Sequence, residues 1–169
     1  AFARWGRAVS QLSGQELALQ HTPRAPRTDA FELVERVDYG EQVNAPTSIL
    51  RFAPVARPGL GGRWQRLLGG GRLPHFDVGD LAGVVPPGSA IPRFYSLASG
   101  SRDGVLEICV RKLPEGLCSQ FLHGLKVGER MNAFIQLHPD FRPVSGEAPV
   151  ILIGAGTGIG PLAGFIRNN

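Results

Sequence analysis

Two stretches of sequence decide how this chain is interpreted: Arg93-Phe94-Tyr95-Ser96-Leu97-Ala98-Ser99 and Val150-Ile151-Leu152-Ile153-Gly154-Ala155-Gly156-Thr157-Gly158-Ile159-Gly160-Pro161. The first places a cation, an aromatic ring and a hydroxyl close together in a segment of β-type composition. The second is a continuous apolar run, typical of a strand buried in a parallel sheet, followed at once by a glycine-rich turn. Glycines at such a turn let the backbone approach a phosphate, although they also suit a purely structural turn.

The region between these stretches, and the region before them, predicts an all-β barrel. From residue 30 short segments rich in β-branched and aromatic residues alternate with glycine, proline and aspartate. A short helix is expected over Ser119–Leu125 with a serine near its start as N-cap, and another helix begins over Leu162–Arg167. The expected strands are Phe31–Val37, Ser48–Ala53, Asp80–Val85, Arg93–Ser99, Gly104–Arg111 and Glu129–Leu137.

Three parts of the chain are expected from these patterns. Residues 1–29 comprise an amphipathic helix over residues 1–13 and a proline-rich linker, and residues 30–146 form the barrel. Residues 147–169 begin an α/β nucleotide-binding domain, because a parallel sheet cannot be one strand wide. We expect that domain to continue beyond Asn169.

Composition excludes several classes of function. With 43% hydrophobic and 19% charged residues among 169, the chain has the composition of an ordinary soluble protein. No apolar stretch approaches the roughly 18 residues that span a bilayer, so we expect a cytoplasmic protein. Two cysteines and four histidines without ligand spacing predict neither a disulfide scaffold nor a metal site.

The net charge of +4 is modest, and no nucleic-acid-binding motif accompanies it. We therefore expect no nucleic-acid partner. The basic loop Arg57 to Arg72 is interpreted as solvated surface, with docking of an acidic partner such as a flavodoxin-like domain as the alternative.

Several motifs along residues 76–167, lying in the order found in the family, resemble the ferredoxin-NADP reductase superfamily. The glycine-rich turn departs from the dinucleotide fingerprint G-x-G-x-x-G but resembles that superfamily's G-x-G-T-G-I-x-P, which follows an FAD-binding barrel. The stretch Phe134 to Arg142, with its His138-Pro139-Asp140-Phe141-Arg142, is similar to the diflavin branch of sulfite reductase flavoproteins and cytochrome P450 reductases. The other four motifs are Phe76–Asp80, Arg93–Ser99, Glu107–Arg111 and Gly116–Ser119.

This resemblance implies a six-stranded antiparallel FAD-binding barrel with a short helix, followed by the first strand, loop and helix of an NADP-binding domain. It implies that Arg93 binds the FAD pyrophosphate and that Tyr95 stacks on the isoalloxazine. It also implies that Ser96 is a catalytic residue whose hydroxyl lies near flavin N5. On their own these residues also fit a surface ion pair, a barrel aromatic and a solvated serine. The remaining cofactor-binding positions are Phe94, Cys109, Val110, Arg111, Gly116, Leu117, Cys118 and Ser119 for FAD, and Gly156, Thr157 and Gly158 for the pyridine nucleotide.

The resemblance also implies a function. It indicates an NADPH-dependent flavoprotein oxidoreductase module that passes hydride from NADPH to FAD, and electrons onward to FMN, an iron-sulfur protein or a haem. The partner would be an electron-acceptor protein or an FMN domain, and FMN would occupy a neighbouring domain in the diflavin branch. The alternatives are a non-catalytic FAD-binding or partner-docking module, inactive alone, and a stand-alone ferric or flavin reductase.

Three details depart from the family pattern or refine it. The loop from Arg111 to Gly116 is short, which would leave the adenine more exposed. Gly160 replaces a common alanine, a change expected to matter little sterically but to loosen the helix start. Cys118 lies at a helix N-terminus, yet we expect it to serve packing and FAD contact rather than reactivity.

Overall fold

The computed structural model describes residues 11, 26–55, 73–144, 146 and 149–168. The amphipathic helix expected over residues 1–13 lies outside the described residues, apart from residue 11. The basic loop Arg57 to Arg72 also lies outside them. Within the part of the chain that is described, no helix is long and apolar enough to cross a membrane.

The described residues form six strands and two α-helices, and the mainly β fold expected from the sequence is confirmed. Most predicted strand ends lie within two residues of the observed ones; strand β4, expected to reach Ser99, ends at Ser96. Short 3-10 helices occur at Glu41–Val43, Ser101–Asp103 and Gly156–Gly158. The elements are β1 (Asp29–Tyr39), β2 (Thr47–Pro54), β3 (Leu81–Val85), β4 (Arg93–Ser96), β5 (Leu106–Arg111), α1 (Leu117–Gly124), β6 (Arg130–Gln136) and α2 (Ile159–Arg167).

The strands form one antiparallel sheet in the order β4-β3-β6-β1-β2-β5. The two edges of this sheet meet just after β4. Leu97 forms an antiparallel bridge with Ile108 of β5, and the Ala98 amide donates to the Glu107 carbonyl at 2.9 Å. The sheet therefore closes on itself as a barrel, and the closure lies directly after the Arg93–Ser96 motif.

The barrel encloses a core of alternating inward side chains. In β2 the residues Ser48, Leu50 and Phe52 are buried while those between them are only partly covered. Full burial of one such large apolar side chain contributes about 1.5–3 kcal/mol. Fully buried large side chains elsewhere in this core are Phe31, Leu33, Phe76, Leu97, Leu106, Ile108, Val110, Leu122 and Met131.

Helix α1 covers one end of this core, but its start differs from the prediction. Its N-cap position is Gly116, which has no side-chain cap, so the serine N-cap predicted from the sequence is wrong. Ser119 is the third residue of the helix, and its hydroxyl donates to the Gly116 carbonyl (3.0 Å) and accepts from the Leu113 amide (3.1 Å). The serine thus closes the turn before the helix rather than capping its first amides.

The other end of α1 is held by Arg36 of β1. Its Nη1 donates to the carbonyls of His123 (2.5 Å) and Leu125 (3.1 Å), where the helix leaves its last carbonyls unpaired. The His123 Nε2 atom lies 2.9 Å from the Val110 carbonyl of β5. Both strands therefore fix the position of α1 on the barrel.

The apolar run Val150–Ile153 does not form a buried strand in this structure. The four side chains are 48%, 85%, 39% and 90% exposed, and the residues have no strand pairing with any described segment. The prediction of a strand buried on both faces is therefore wrong for this chain, because no described strand lies alongside to pair with the run and bury it. Helix α2 begins at Ile159, three residues before the predicted Leu162.

Candidate functional site

Strand β4 divides its motif between two faces, because successive side chains of a strand point to opposite sides. Arg93 and Tyr95 share one face, and Phe94 and Ser96 share the other. Phe94 is exposed and lies edge-on to Phe134, with ring centroids 5.9 Å apart and planes at 89°. The structure therefore separates Phe94 from the group that Arg93 and Tyr95 form.

Arg93 and Tyr95 lie beside the first turn of α1. The Tyr95 hydroxyl hydrogen-bonds the Cys118 sulfur, and burial, followed by this bond, raises the pKa of Tyr95 well above its ordinary value. Arg93 is exposed, its Nη1 donates to the neighbouring Pro92 carbonyl at 3.3 Å, and it forms no ion pair with any described residue. A cation without a counter-charge thus stands next to a helix N-terminus.

The first turn of α1 adds backbone donors to this cation. The amides of Leu117, Cys118 and Ser119 precede the first hydrogen bond of the helix, which runs from the Gln120 amide to the Gly116 carbonyl at 2.8 Å. Such amides lack intrahelical acceptors and favour an anion. A side chain at Gly116 would collide with the Ser119 hydroxyl, so the turn that presents these amides requires glycine.

The two cysteines have different surroundings but neither is activated. Cys118 is buried, and burial raises the pKa of its thiol although Tyr95 and Arg93 act in the opposite direction. Cys109 on β5 is half-buried, and burial together with the charge of Glu107 raises its pKa. These surroundings suit packing rather than thiolate chemistry.

The other predicted residues of the flavin site fall into distinct settings. Ser96 is half-buried, and among the described residues its hydroxyl has no hydrogen-bond partner. The Val110 side chain is fully buried in the core, so it has no surface to offer a cofactor. Arg111 is exposed at the end of β5.

The glycine-rich turn forms a second candidate site against β5. Gly156 has a φ of +56°, a left-handed conformation that favours glycine, and begins the 3-10 helix that precedes α2. This 3-10 helix lies beside β5. A Cβ at Gly160 would lie 2.9 Å from the Cys109 Cβ, so the expectation that alanine and glycine are nearly equivalent here is wrong.

A chain of ion pairs lies beneath α2, and the sequence analysis missed it. The buried Glu107 accepts from Arg51 Nε at 2.6 Å and from Arg167 Nη2 at 2.5 Å. Arg51 Nη1 continues to Glu35 Oε1 at 2.7 Å. Burial by itself would raise the pKa of Glu107, but the bonds from Arg167 and Arg51 outweigh it and lower that pKa. The sequence feature that could have predicted these ion pairs is a carboxylate within the apolar strand Leu106–Arg111, since a buried carboxylate requires a cation.

Asp80, the last residue of the Phe76–Asp80 motif, has a structural role. It is fully buried and accepts from the Asp77 amide (2.9 Å), the His138 amide (2.7 Å) and Arg142 Nη2 (2.5 Å). These bonds outweigh burial and lower the Asp80 pKa. The segment after β6 is thereby held on the barrel, and its Phe141 packs against Phe165 of α2 with ring centroids 5.1 Å apart.

Within the described residues no cluster of histidine, cysteine, aspartate or glutamate could hold a metal ion. The site instead places a cation, helix amides and a tyrosine ring together beside α1, while the unbonded Ser96 hydroxyl lies on the other face of β4. Groups of these kinds suit a planar ligand that carries an anionic group.

The known proteins reported below that this chain resembles are reductases. No protein-family model matches the chain. It is 34% identical over 171 residues to the aromatic O-demethylase reductase subunit of Amycolatopsis, covering 95% of this chain and 48% of that protein. It is 29% identical over 162 residues to NADPH-dependent diflavin oxidoreductase 1 of Cryptococcus neoformans, covering 85% of this chain and 25% of the relative.

Among solved structures, the ferredoxin-NADP+ reductase of Plasmodium falciparum with 2'P-AMP superposes with a TM-score of 0.64 at 18% identity, covering 83% of this chain and 52% of that one. The fold is therefore that of a flavoprotein reductase barrel. The chain is thus similar in sequence to curated reductases and similar in fold to a ferredoxin-NADP+ reductase. It spans about half of the Amycolatopsis relative and a quarter of the Cryptococcus one.

Proposed function

We propose that this chain is the FAD-binding barrel and the first nucleotide-binding unit of an NADPH-dependent flavoprotein oxidoreductase. The observation that carries the proposal is the exposed Arg93 cation beside the α1 amides and the Tyr95 ring. When bound, FAD would supply the redox chemistry by accepting hydride from NADPH and releasing electrons to FMN, an iron-sulfur protein or a haem. The protein residues hold and orient it.

The anionic part of FAD fits the first turn of α1. Arg93 has a planar guanidinium with five donors and no counter-ion among the described residues, which suits a pyrophosphate. The amides of Leu117, Cys118 and Ser119 add donors and the partial positive charge of a helix start. Gly116 keeps this turn open to a ligand.

The aromatic part of FAD fits Tyr95. The ring is half-buried, and its hydroxyl interacts with the Cys118 side chain, which limits the movement of the ring. A ring held in this way can stack on a flat heterocycle without losing side-chain freedom on binding. Cys118 would therefore position Tyr95 rather than react, which agrees with the raised pKa of the Cys118 thiol.

Ser96 is the candidate catalytic residue. Its hydroxyl is half-buried and has no described hydrogen-bond partner, so it can donate to a ring nitrogen of the bound flavin. Phe94, on the same face of β4, packs against Phe134 and supports that face rather than contacting the pyrophosphate.

The turn Gly156–Gly158 would accept the pyridine nucleotide. Its glycines and the following start of α2 provide backbone donors, and Thr157 adds a partly exposed hydroxyl. The names of the relatives include NADPH for the diflavin oxidoreductase and a 2'P-AMP complex for the Plasmodium reductase, which favours NADPH over NADH. An electron-acceptor protein or FMN domain as partner, and the cytoplasmic location, belong to the same proposal.

One comparison separates an oxidoreductase from a binding module. NADPH oxidation with ferricyanide as artificial acceptor is measured for FAD-loaded residues 1–169 and for a longer natural chain that contains the remainder of the nucleotide domain. We expect FAD binding by both chains and NADPH oxidation by the longer one. If the longer chain binds FAD but is not reduced by NADPH, the oxidoreductase proposal fails and the binding module is favoured.

A further inference from the structure

The last turn of α2 is attached to the barrel by one arginine. Arg167 Nη2 donates to the Ala98 carbonyl at 2.6 Å and to Glu107 Oε1 at 2.5 Å, and Nη1 reaches Glu107 Oε2 at 3.3 Å. The Glu107 side chain is 6% exposed, whereas that of Arg167 is 46% exposed. A partly exposed cation therefore reaches from the helix to a buried carboxylate.

The remaining contacts of α2 itself carry no charge, and they include the packing of Phe165 on Phe141. Just after the helix, Asn168 Nδ2 donates to Asp103 Oδ2 at 3.5 Å. Gly160 lies against Cys109, and Gly164 lies against Val78 and the Ala98 carbonyl, with no room for a Cβ at either position. Two glycines one turn apart allow the helix to approach the barrel closely. They determine how near the helix lies, but they provide no polar contact to fix its position along the barrel surface.

Arg167 supplies the second positive charge in a chain of two carboxylates and two arginines. Glu35, Arg51, Glu107 and Arg167 alternate in sign, and the first three belong to β1, β2 and β5 of the barrel. Without α2, Arg51 is shared between two carboxylates and Glu107 has no full counter-charge. A buried carboxylate in that state is costly, so the ion pair favours the docked position of α2.

The same arginine connects α2 to the strand that carries the flavin motif. Ala98, whose carbonyl accepts from Arg167, follows Ser96 by two residues, and its amide bonds to Glu107 where the barrel closes. At the other end, α2 follows the turn Gly156–Gly158 directly. One side chain therefore joins the helix after the nucleotide turn to the segment after Ser96.

We propose that Arg167 is a positioning residue, which through Glu107 and Ala98 fixes the distance and orientation of the nucleotide turn relative to β4. The inference rests on the proposed function, since it assigns a consequence for reduction of the flavin by NADPH. A displacement on the order of 1 Å between reacting groups can cost about 100-fold in rate. Arg167 would act on the rate of reduction and not on the affinity for FAD.

The first test needs no flavin. Backbone amide exchange over Ile159–Arg167 is compared in the unaltered protein, in Arg167→Met and in Arg130→Met. The control breaks the exposed pair between Arg130 and Glu32, which are joined at 3.0 Å away from α2. Loss of the docking pair is expected to speed exchange in α2 about tenfold, which corresponds to about 1.4 kcal/mol. The control is expected to leave exchange in α2 unchanged.

The second test uses the full-length FAD-loaded protein. The limiting rate of flavin reduction by NADPH is expected to fall about tenfold in Arg167→Met, with KM and FAD affinity changed less than about twofold. Arg167→Lys keeps the charge but loses the fork of donors, so its rate of flavin reduction is expected to lie between those of the unaltered protein and Arg167→Met. Arg130→Met should match the unaltered protein.

The outcomes distinguish this inference from the proposed function. Unchanged amide exchange and unchanged reduction in Arg167→Met would overturn the positioning role, and so would a loss of FAD affinity as large as the loss of rate. If Arg167→Met does not fold, Arg167→Lys decides by the same measurements. If the unaltered protein is not reduced by NADPH, the proposed function fails while amide exchange still tests the docking of α2.

Discussion

The barrel and the segment 149–168 differ in how far they bury apolar side chains of the same type. Ile108 of β5 is fully buried, whereas Ile153, before the glycine-rich turn, is 90% exposed. The barrel closes on itself and supplies its own core, while the apolar run of the segment has no described strand beside it. What orders the segment is helix α2, which packs two glycines and one arginine against the barrel.

This difference indicates which activities each region can support alone. The Arg93, Tyr95 and α1 group belongs to the closed barrel and the helix on it, without any residue of segment 149–168. The nucleotide turn depends on α2 and on its attachment through Glu107 and Ala98. Retention of FAD and use of NADPH should therefore respond to different substitutions.

The largest effect is expected from a matched pair of isoleucines. Ile108→Ala removes a fully buried side chain and should lower the free energy of unfolding by about 2–5 kcal/mol. Ile153→Ala should change it by no more than about 0.5 kcal/mol, because the side chain is already solvated. Urea denaturation followed by circular dichroism measures both. Equal losses would show that the apolar run is part of the core.

A second pair of variants separates cofactor affinity from stability. Arg93→Gln should weaken FAD binding about 10- to 100-fold, because a charged hydrogen bond to the pyrophosphate contributes about 1.5–3 kcal/mol. Its unfolding should be unchanged, since Arg93 is exposed and has no ion pair among the described residues. Arg130→Gln, on the exposed pair with Glu32, is the control and should bind FAD normally. Fluorescence titration with FAD is the measurement, and equal affinities would remove Arg93 from the site.

Close packing of α2 gives the next effect. Gly164→Ala should destabilise the docked helix by about 1–3 kcal/mol, because the new methyl group meets Val78 Cγ1 at 2.6 Å. Gly124→Ala in α1 meets no atom within 4 Å and should be neutral or stabilise by up to about 1 kcal/mol. Amide exchange of α2 and α1 reports each change locally. Undisturbed exchange in Gly164→Ala would contradict the contact.

The smallest effect is expected from pH. The pKa of Glu107 is lowered below its ordinary value of 4.5, chiefly by Arg167 and Arg51 acting against burial. A carboxylate of this kind stabilises the fold above its unfolded pKa, and the contribution is lost as pH falls through the folded pKa. Stability should therefore decline below about pH 4.5, and less steeply in Glu107→Gln. Parallel pH curves for the two proteins would exclude this contribution.

Much of the barrel could be predicted because its strands carry local signals. Alternation in Thr47–Pro54 and the turn residues around Gly88 and Gly104 specify strands without reference to distant contacts. The Ser119 cap was wrong because the hydroxyl finds its partners, Leu113 and Gly116, in the turn before the helix. A pattern of residue types does not distinguish these two uses of a serine near a helix start.

The attachment of α2 could not be predicted from local patterns. Arg167 and Glu107 are 60 residues apart in sequence, and only closure of the barrel brings Ala98 beside both. Gly160 and Cys109, which are in contact, are also far apart in sequence, and the resemblance to a family alanine concealed this contact. The roles of Arg93, Tyr95, Ser96 and Thr157 toward a cofactor remain predictions that the experiments above address.

The central claim is that the closed barrel of this chain holds FAD. Titration of folded residues 1–169 with FAD, followed by flavin fluorescence and absorbance, tests it most directly. Saturable binding of one FAD per chain, with a perturbed flavin spectrum, is the expected result. A chain with the circular dichroism of a folded β protein that shows no saturable FAD binding would contradict the account.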